Sequence, residues 1–254
     1  MIALITGGSS GMGLEYARQL AGRRYDLILV SNREDELLQA KDVLSKDFTI
    51  SVTTRFLDLA CENAADELYD WCTSEGYLPD VVICNAGMFF FKEPGKDDLP
   101  LVQAMLNLHI TAITRTCLLF SDAMKRRGSG RLLIMSSMAA RIPAPGITVY
   151  SATKAYLKSF GKSLWYELKP YGVTVTTVCP AAIATPLYRL SDKLMNTGIK
   201  VGLIRTPKWL VHRALKALFN GRRVIIPGFM NFYLPFIISI LPAWAVTALW
   251  KRFK

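Results

Sequence analysis

An apolar pentapeptide, Ile2-Ala3-Leu4-Ile5-Thr6, runs unbroken into Gly7-Gly8-Ser9-Ser10-Gly11-Met12-Gly13, and a helical pattern follows from Leu14 to Gly22. Few folds open this way. A strand that feeds a glycine-rich turn and then a helix begins a βαβ unit and points helix N–H groups at a phosphate. Glycines at 7, 11 and 13 permit the tight turn and a close approach of backbone to ligand. The first glycine gap is wider than in G-x-G-x-x-G, so the loop is a variant of the dinucleotide fingerprint. Thr6, Gly7, Ser9, Ser10, Gly11, Met12 and Gly13 are therefore candidate cofactor contacts. The same run reads as a first strand rather than a signal peptide.

The chain then alternates apolar strand patterns with helical ones, which argues for an α/β fold in a single 254-residue domain. A second strand, Tyr25 to Val30, ends at Ser31-Asn32-Arg33. An acidic residue here would suit the ribose 2′-hydroxyl of NAD, whereas a neutral Ser31 with a cationic Arg33 favours the 2′-phosphate of NADP. The competing reading is that Arg33 only pairs with the helix carrying Glu34, Asp35 and Glu36. A third strand, Ile50 to Phe56, leads to Asp58-Leu59, with Asp58 placed as a cap or an adenine contact. A fourth, Val81 to Gly87, ends in small residues (Asn85, Ala86, Gly87) that let a flat cofactor lie against them or simply make a turn. A long helical pattern from Leu99 to Lys125 places Asn107 at its centre among Leu106, Leu108 and Ile110.

Chemistry concentrates further on. Leu132-Leu133-Ile134-Met135 reads as a buried strand ending at Ser136-Ser137. Tyr150 and Lys154 stand four apart and so share a helix face. A strand end and a helix start aim a hydroxyl, a phenol and an ammonium at one crevice. A cation beside a phenol favours the phenolate, which makes Tyr150 a candidate proton donor and acceptor, with Ser137 a hydrogen-bond donor to a substrate oxygen. Spacing alone equally suits a solvated helix face. A sixth strand, Val173 to Cys179, is stopped by Pro180.

Taken together and in order, these motifs make residues 2–185 similar to the short-chain dehydrogenase/reductase family. T-G-G-S-S-G-M-G matches its cofactor loop, Asp58-Leu59 its adenine contact and Asn85-Ala86-Gly87 its N-A-G. Asn107, Ser137, Tyr150 and Lys154 fall on its catalytic tetrad. The resemblance implies a Rossmann-type doubly wound parallel sheet of about seven strands with helices on both faces. It implies hydride transfer to a carbonyl carbon while Tyr150 protonates the oxygen. Lys154 lowers the tyrosine's pKa and binds the nicotinamide ribose, Ser137 positions the carbonyl, and Asn107 holds a relay water. It also implies Pro180, Ala181, Ile183 and Thr185 near the nicotinamide, and a homodimer or homotetramer. Ala181 replaces a glycine of the family pattern, which strains the turn unless its φ is negative. Arg33 stands one position later than the family's usual arginine.

The remaining sequence asks for its own explanation. Residues 1–185 hold 19 Lys and Arg against 19 Asp and Glu, whereas 186–254 hold 12 cations against Asp192 alone. The whole formal charge of +11 lies in that last segment. Five scattered cysteines (Cys61, Cys72, Cys84, Cys117, Cys179) and two histidines make a metal site improbable and suit a reducing cytoplasm. The expected plan is a nucleotide-binding and catalytic domain over 1–228, with 186–206 as a substrate lid, and an apolar, basic tail over 229–254. A helix from Lys208 to Phe219 and a strand from Arg222 to Pro227 complete the domain. Phe229 to Trp250 is nearly all apolar, yet Pro235 and Pro242 cut it into short helical pieces. Three readings stand: an interfacial hairpin on an anionic membrane that also walls the pocket, burial against the body or a second subunit, and a transmembrane anchor. Nucleic acid is a poorer match, since no reader motif accompanies the charge. The tail and Met88-Phe89-Phe90-Phe91 point to a lipophilic ketone of 3-oxoacyl, 3-ketosphinganine or oxosteroid type, reduced with NADP(H) rather than NAD(H). The Phe run also suits plain core packing. NAD-dependent alcohol oxidation and a non-catalytic NADP-binding scaffold are the other functions considered.

Overall fold

The computed structural model describes residues 1–142, 144–181, 183–184, 204–228, 231, 233, 235, 238 and 240–253. Seven parallel strands form one sheet in the order β3-β2-β1-β4-β5-β6-β7: β1 (Ile2–Thr6), β2 (Asp26–Ser31), β3 (Val52–Phe56), β4 (Val81–Cys84), β5 (Gly130–Met135), β6 (Val173–Val178) and β7 (Val224–Ile225). The central strands β1, β4 and β5 are largely apolar and buried because helices cover both faces. On one face α1 (Gly11–Ala21), α2 (Glu34–Asp47) and α7 (Pro207–Phe219) bury Tyr16, Leu20, Leu37, Leu44, Leu210 and Leu215. On the other, α3 (Ala64–Ser74), α5 (Ile113–Arg127) and α6 (Thr148–Leu168) bury Leu68, Phe120, Leu157 and Leu164. From β1 the chain winds outward through β2 and then, after β3, returns to β4 on the other side. That reversal opens a crevice at the carboxyl ends of β1 and β4, where open α/β sheets bind ligands.

Three elements depart from the sequence reading. Strand β4 stops at Cys84 instead of continuing to Gly87. The N–H groups of Asn85 and Ala86 leave the ladder and donate to Thr6 Oγ1, each at 3.0 Å. The long helix expected over 99–125 is α4 (Leu99–Leu106) and α5 joined by a π-helical turn, Asn107–Ala112. The last strand is only Val224–Ile225, paired with Thr177 and Val178. Helix α7 begins as its sequence predicts, with Pro207 in the first turn and Thr206 Oγ1 accepting from the Trp209 N–H at 3.3 Å.

The expected lid lies almost wholly outside the described residues, as does Thr185. Of the tail, α8 (Ala243–Phe253) follows Pro242 and carries Trp244, 74% exposed. Among the described residues no helix is long and apolar enough to cross a membrane.

Candidate active site

The crevice is a cavity of about 1090 Å³ that runs from Ser31 and Arg33, over the glycine loop, to Tyr150, Lys154 and Pro180. Its floor is the turn that the glycines make possible. Gly7 (φ +64°) and Gly11 (φ +54°) occupy left-handed backbone. A Cβ on Gly13 would stand 1.8 Å from the Gly7 carbonyl oxygen, so only hydrogen lets α1 close on the loop. Ser10 caps α1 with extended backbone and no side-chain bond to the helix, leaving first-turn N–H groups open where Ser10, Gly11 and Met12 line the cavity. Asn85 braces the loop from β4, its Nδ2 donating to the Thr6 carbonyl at 3.1 Å. Backbone donors beside an open cavity fit a pyrophosphate, and with it a dinucleotide.

At one end of the cavity, Arg33 Nη1 donates to Glu36 Oε1 at 2.6 Å, and Ser9 Oγ donates to Glu36 Oε2 at 3.2 Å. Arg33 therefore takes the salt-bridge reading in this state, and its hydrogen bond holds the Glu36 carboxyl below the usual range. Glu36 lines the cavity with Ser31, Asn32 and Arg33, whereas the sequence reading has it only as one of three acidic residues on the helix that Arg33 could pair with. Asp58 also lines it and accepts from the Ala60 N–H at 3.0 Å.

At the other end, β5 delivers Ser136 and Ser137, and α6 delivers Tyr150 and Lys154. Tyr150 and Lys154 are each 5% exposed. Lys154 Nζ donates to the Met135 carbonyl at 3.0 Å and lies 5.5 Å from the centre of the Tyr150 ring. Ser136 Oγ donates to the Lys154 carbonyl at 2.7 Å, tying the strand end to the helix. Burial pushes the Lys154 ammonium down to about 8. Ser137 Oγ accepts from the Ala139 N–H at 3.1 Å, which turns the chain sharply and presents the hydroxyl to the cavity. Pro180 and Ile183 line this end, and Ala181 adopts a negative φ, so replacing glycine there carries no backbone strain.

Asn107 stands apart from the other three tetrad positions. It does not line the cavity: its Nδ2 donates to the Ala60 carbonyl at 3.0 Å and its Oδ1 accepts from Gln103 at 2.9 Å. An amide bonded at both ends holds the segment after β3 against the π turn. From this turn Leu108 and His109 do line the cavity, and His109, fully buried, sets its ring edge-on to that of Tyr150 at 5.8 Å. A lone histidine inside an apolar helical pattern carries no sequence signal for this contact. Phe89 meets Tyr150 from another side at 5.0 Å and 88°. Beyond it Phe91 lines the rim and packs on Trp250 of α8 at 5.8 Å.

Residues 1–201 match the family model described as short chain dehydrogenase. The very-long-chain 3-oxoacyl-CoA reductase of Mus musculus is 28% identical over 249 residues, covering 91% of this chain and 77% of that one. Its namesake from Bos taurus is 30% identical over 194 residues, with 74% and 61% covered. Among solved structures, a short-chain dehydrogenase from Sphingobium yanoikuyae in complex with NADPH superposes with a TM-score of 0.78 at 24% identity, covering 95% of this chain and 96% of that one. The L-sorbose reductase of Gluconobacter frateurii, complexed with NADPH and L-sorbose, gives 0.77 at 22% identity, with 89% and 94% covered.

Proposed function

We propose, from the premise that this chain belongs to the short-chain dehydrogenase/reductase family and is an NAD(P)-dependent oxidoreductase, that it reduces a lipophilic ketone to a secondary alcohol. The observation that carries the reading is the edge-on contact of Phe89 with Tyr150. It places an apolar wall, continued by Phe90 and Phe91, directly beside the polar end of the cavity. Such a site excludes water around a carbonyl and leaves an alkyl chain in hydrophobic surroundings. The name of the curated relatives makes a long-chain 3-oxoacyl group the first candidate, ahead of 3-ketosphinganine and oxosteroids.

In this reading Ser137 donates a hydrogen bond to the substrate oxygen, and Tyr150 gives that oxygen a proton as charge develops on it. Lys154 stabilises the tyrosinate left behind and holds the nicotinamide ribose. The nicotinamide supplies the hydride when bound. Everything else the protein contributes is orientation and field. A panel of ketones varied in chain length and head group, with NADPH consumption as readout, tests the substrate class. Tyr150→Phe should lose about 10²–10⁴-fold in turnover while keeping the cofactor; wild-type turnover in that variant would overturn the assignment.

NADPH is the cofactor of this reading because Arg33 stands at the cavity rim with its side chain 67% exposed. A second reading, NAD(H), is favoured by Glu36, whose carboxylate lies beside Ser9 where a 2′-hydroxyl would seek an acceptor. For the tail, the packing of Trp250 on Phe91 supports a role in walling the pocket, and the exposed Trp244 supports contact with an anionic membrane surface. Exposed Leu118 on α5 and Tyr156 on α6 support a homodimer or homotetramer, which sedimentation velocity reads directly.

A further inference from the structure

We infer that His109 is a positioning residue that holds the substrate wall in register with Tyr150, and that it does so as a neutral imidazole protonated on Nδ1. Three hydrogen bonds assign the tautomer. Thr153 Oγ1 donates to the Tyr150 carbonyl at 2.8 Å, so its one proton is taken. His109 Nδ1 lies 3.0 Å from that same Oγ1 and must be the donor. Nε2 then keeps its lone pair, and it accepts from the Met88 N–H at 3.0 Å. A charged ring or the other tautomer would set N–H against N–H at Met88.

The geometry gives this bridge its consequence. Met88 opens the Met88–Phe91 segment that lines the cavity, and Thr153 lies in the helical turn that carries Tyr150 and Lys154. One side chain thus spans the wall and the proton donor, from a π-helical turn of a kind often retained at functional sites. Gly87 makes room for it, since a Cβ there would stand 3.1 Å from Nε2. The surroundings agree with a neutral ring: burial, and then the Lys154 ammonium, hold its pKa well below the usual histidine range.

The inference rests on Tyr150 as proton donor to a ketone, but its first test does not. Long-range ¹H–¹⁵N correlation at pH 7 should show His109 as the Nδ1–H tautomer; an Nε2–H or doubly protonated ring overturns the inference even if the enzyme turns over ketones. The second test compares two amides in the whole protein. His109→Gln keeps an acceptor where Nε2 stood, whereas His109→Asn keeps only the donor toward Thr153. Each variant breaks one end of the bridge, so we expect both to lower kcat/KM for a bulky ketone relative to a small one by about tenfold, the scale of one lost hydrogen bond. NADPH affinity should be unchanged in both. A bulky-to-small ratio unchanged from wild type in both variants, or a loss that follows melting temperature alone, would overturn it. Should the variants fail to fold, the wild-type tautomer decides. A wild type that reduces no ketone refutes the proposed function and leaves the spectrum to judge the bridge.

Discussion

Replacing Lys154 by methionine should stabilise the cofactor-free protein while removing its activity. In the folded chain this ammonium is buried against the Met135 carbonyl, and burial moves its pKa from 10.5 to about 8. At 1.36 kcal/mol per pH unit, that displacement costs roughly 3 kcal/mol of stability at pH 7. The unfolded chain keeps the proton up to 10.5, whereas the folded chain releases it near 8. Unfolding therefore takes up a proton in that window, and stability rises with pH through it; below 8 the full cost is present. Methionine has similar length, flexibility and no charge, and its substitution sacrifices the bond to Met135, about 1 kcal/mol. The net gain is about 2 kcal/mol, or a melting temperature higher by about 5 °C for a domain of this size. Calorimetry at pH 7 and 9.5 on wild type and Lys154→Met checks it. About 2 kcal/mol of the difference between the two proteins should vanish by pH 9.5. A folded variant that melts at or below the wild-type temperature, or two curves that run parallel in pH, would refute the reasoning. A site that holds an unstable charge in readiness for a ligand is the physical content of the assignment.

Other perturbations probe the remaining parts of the crevice. Arg33→Ala should weaken NADPH more than NADH, and Glu36→Gln should do the reverse by removing the carboxylate that competes for Ser9 and Arg33; isothermal titration that finds equal losses removes the basis for preferring NADP. Gly13→Ala forces a methyl to within 1.8 Å of the Gly7 oxygen, so it should cost about 3 kcal/mol or more and abolish dinucleotide binding, read by denaturant melts and fluorescence titration. Trp244→Ser should reduce flotation with anionic liposomes and leave turnover of a soluble ketone intact, since that ring is 74% exposed; unchanged flotation would remove the membrane proposal.

The parts of this protein that could be read from its amino acids are those whose causes are local. The β1–glycine–α1 unit follows from residues 2–21 because turn chemistry and helix ends act over a few residues. Tyr150 and Lys154 share a face because a helix repeats every 3.6 residues, and Thr206-Pro207 starts α7 because capping needs only its neighbours. Even the parallel sheet follows from alternating patterns whose crossovers have one hand. What only the tertiary structure decided were meetings between segments far apart in the chain. Asn107 is drawn to the Ala60 carbonyl rather than to the cavity, Glu36 turns inward to Ser9, and Trp250 reaches Phe91. His109 meets Met88 and Thr153 only because β4 ends where Thr6 captures the next two N–H groups, those of Asn85 and Ala86, and α4 gives way to a π turn. A side chain's own neighbours set which hydrogen bonds it can make; where helices and loops come to rest on the sheet sets which it does make, and packing of that kind has no period in the sequence.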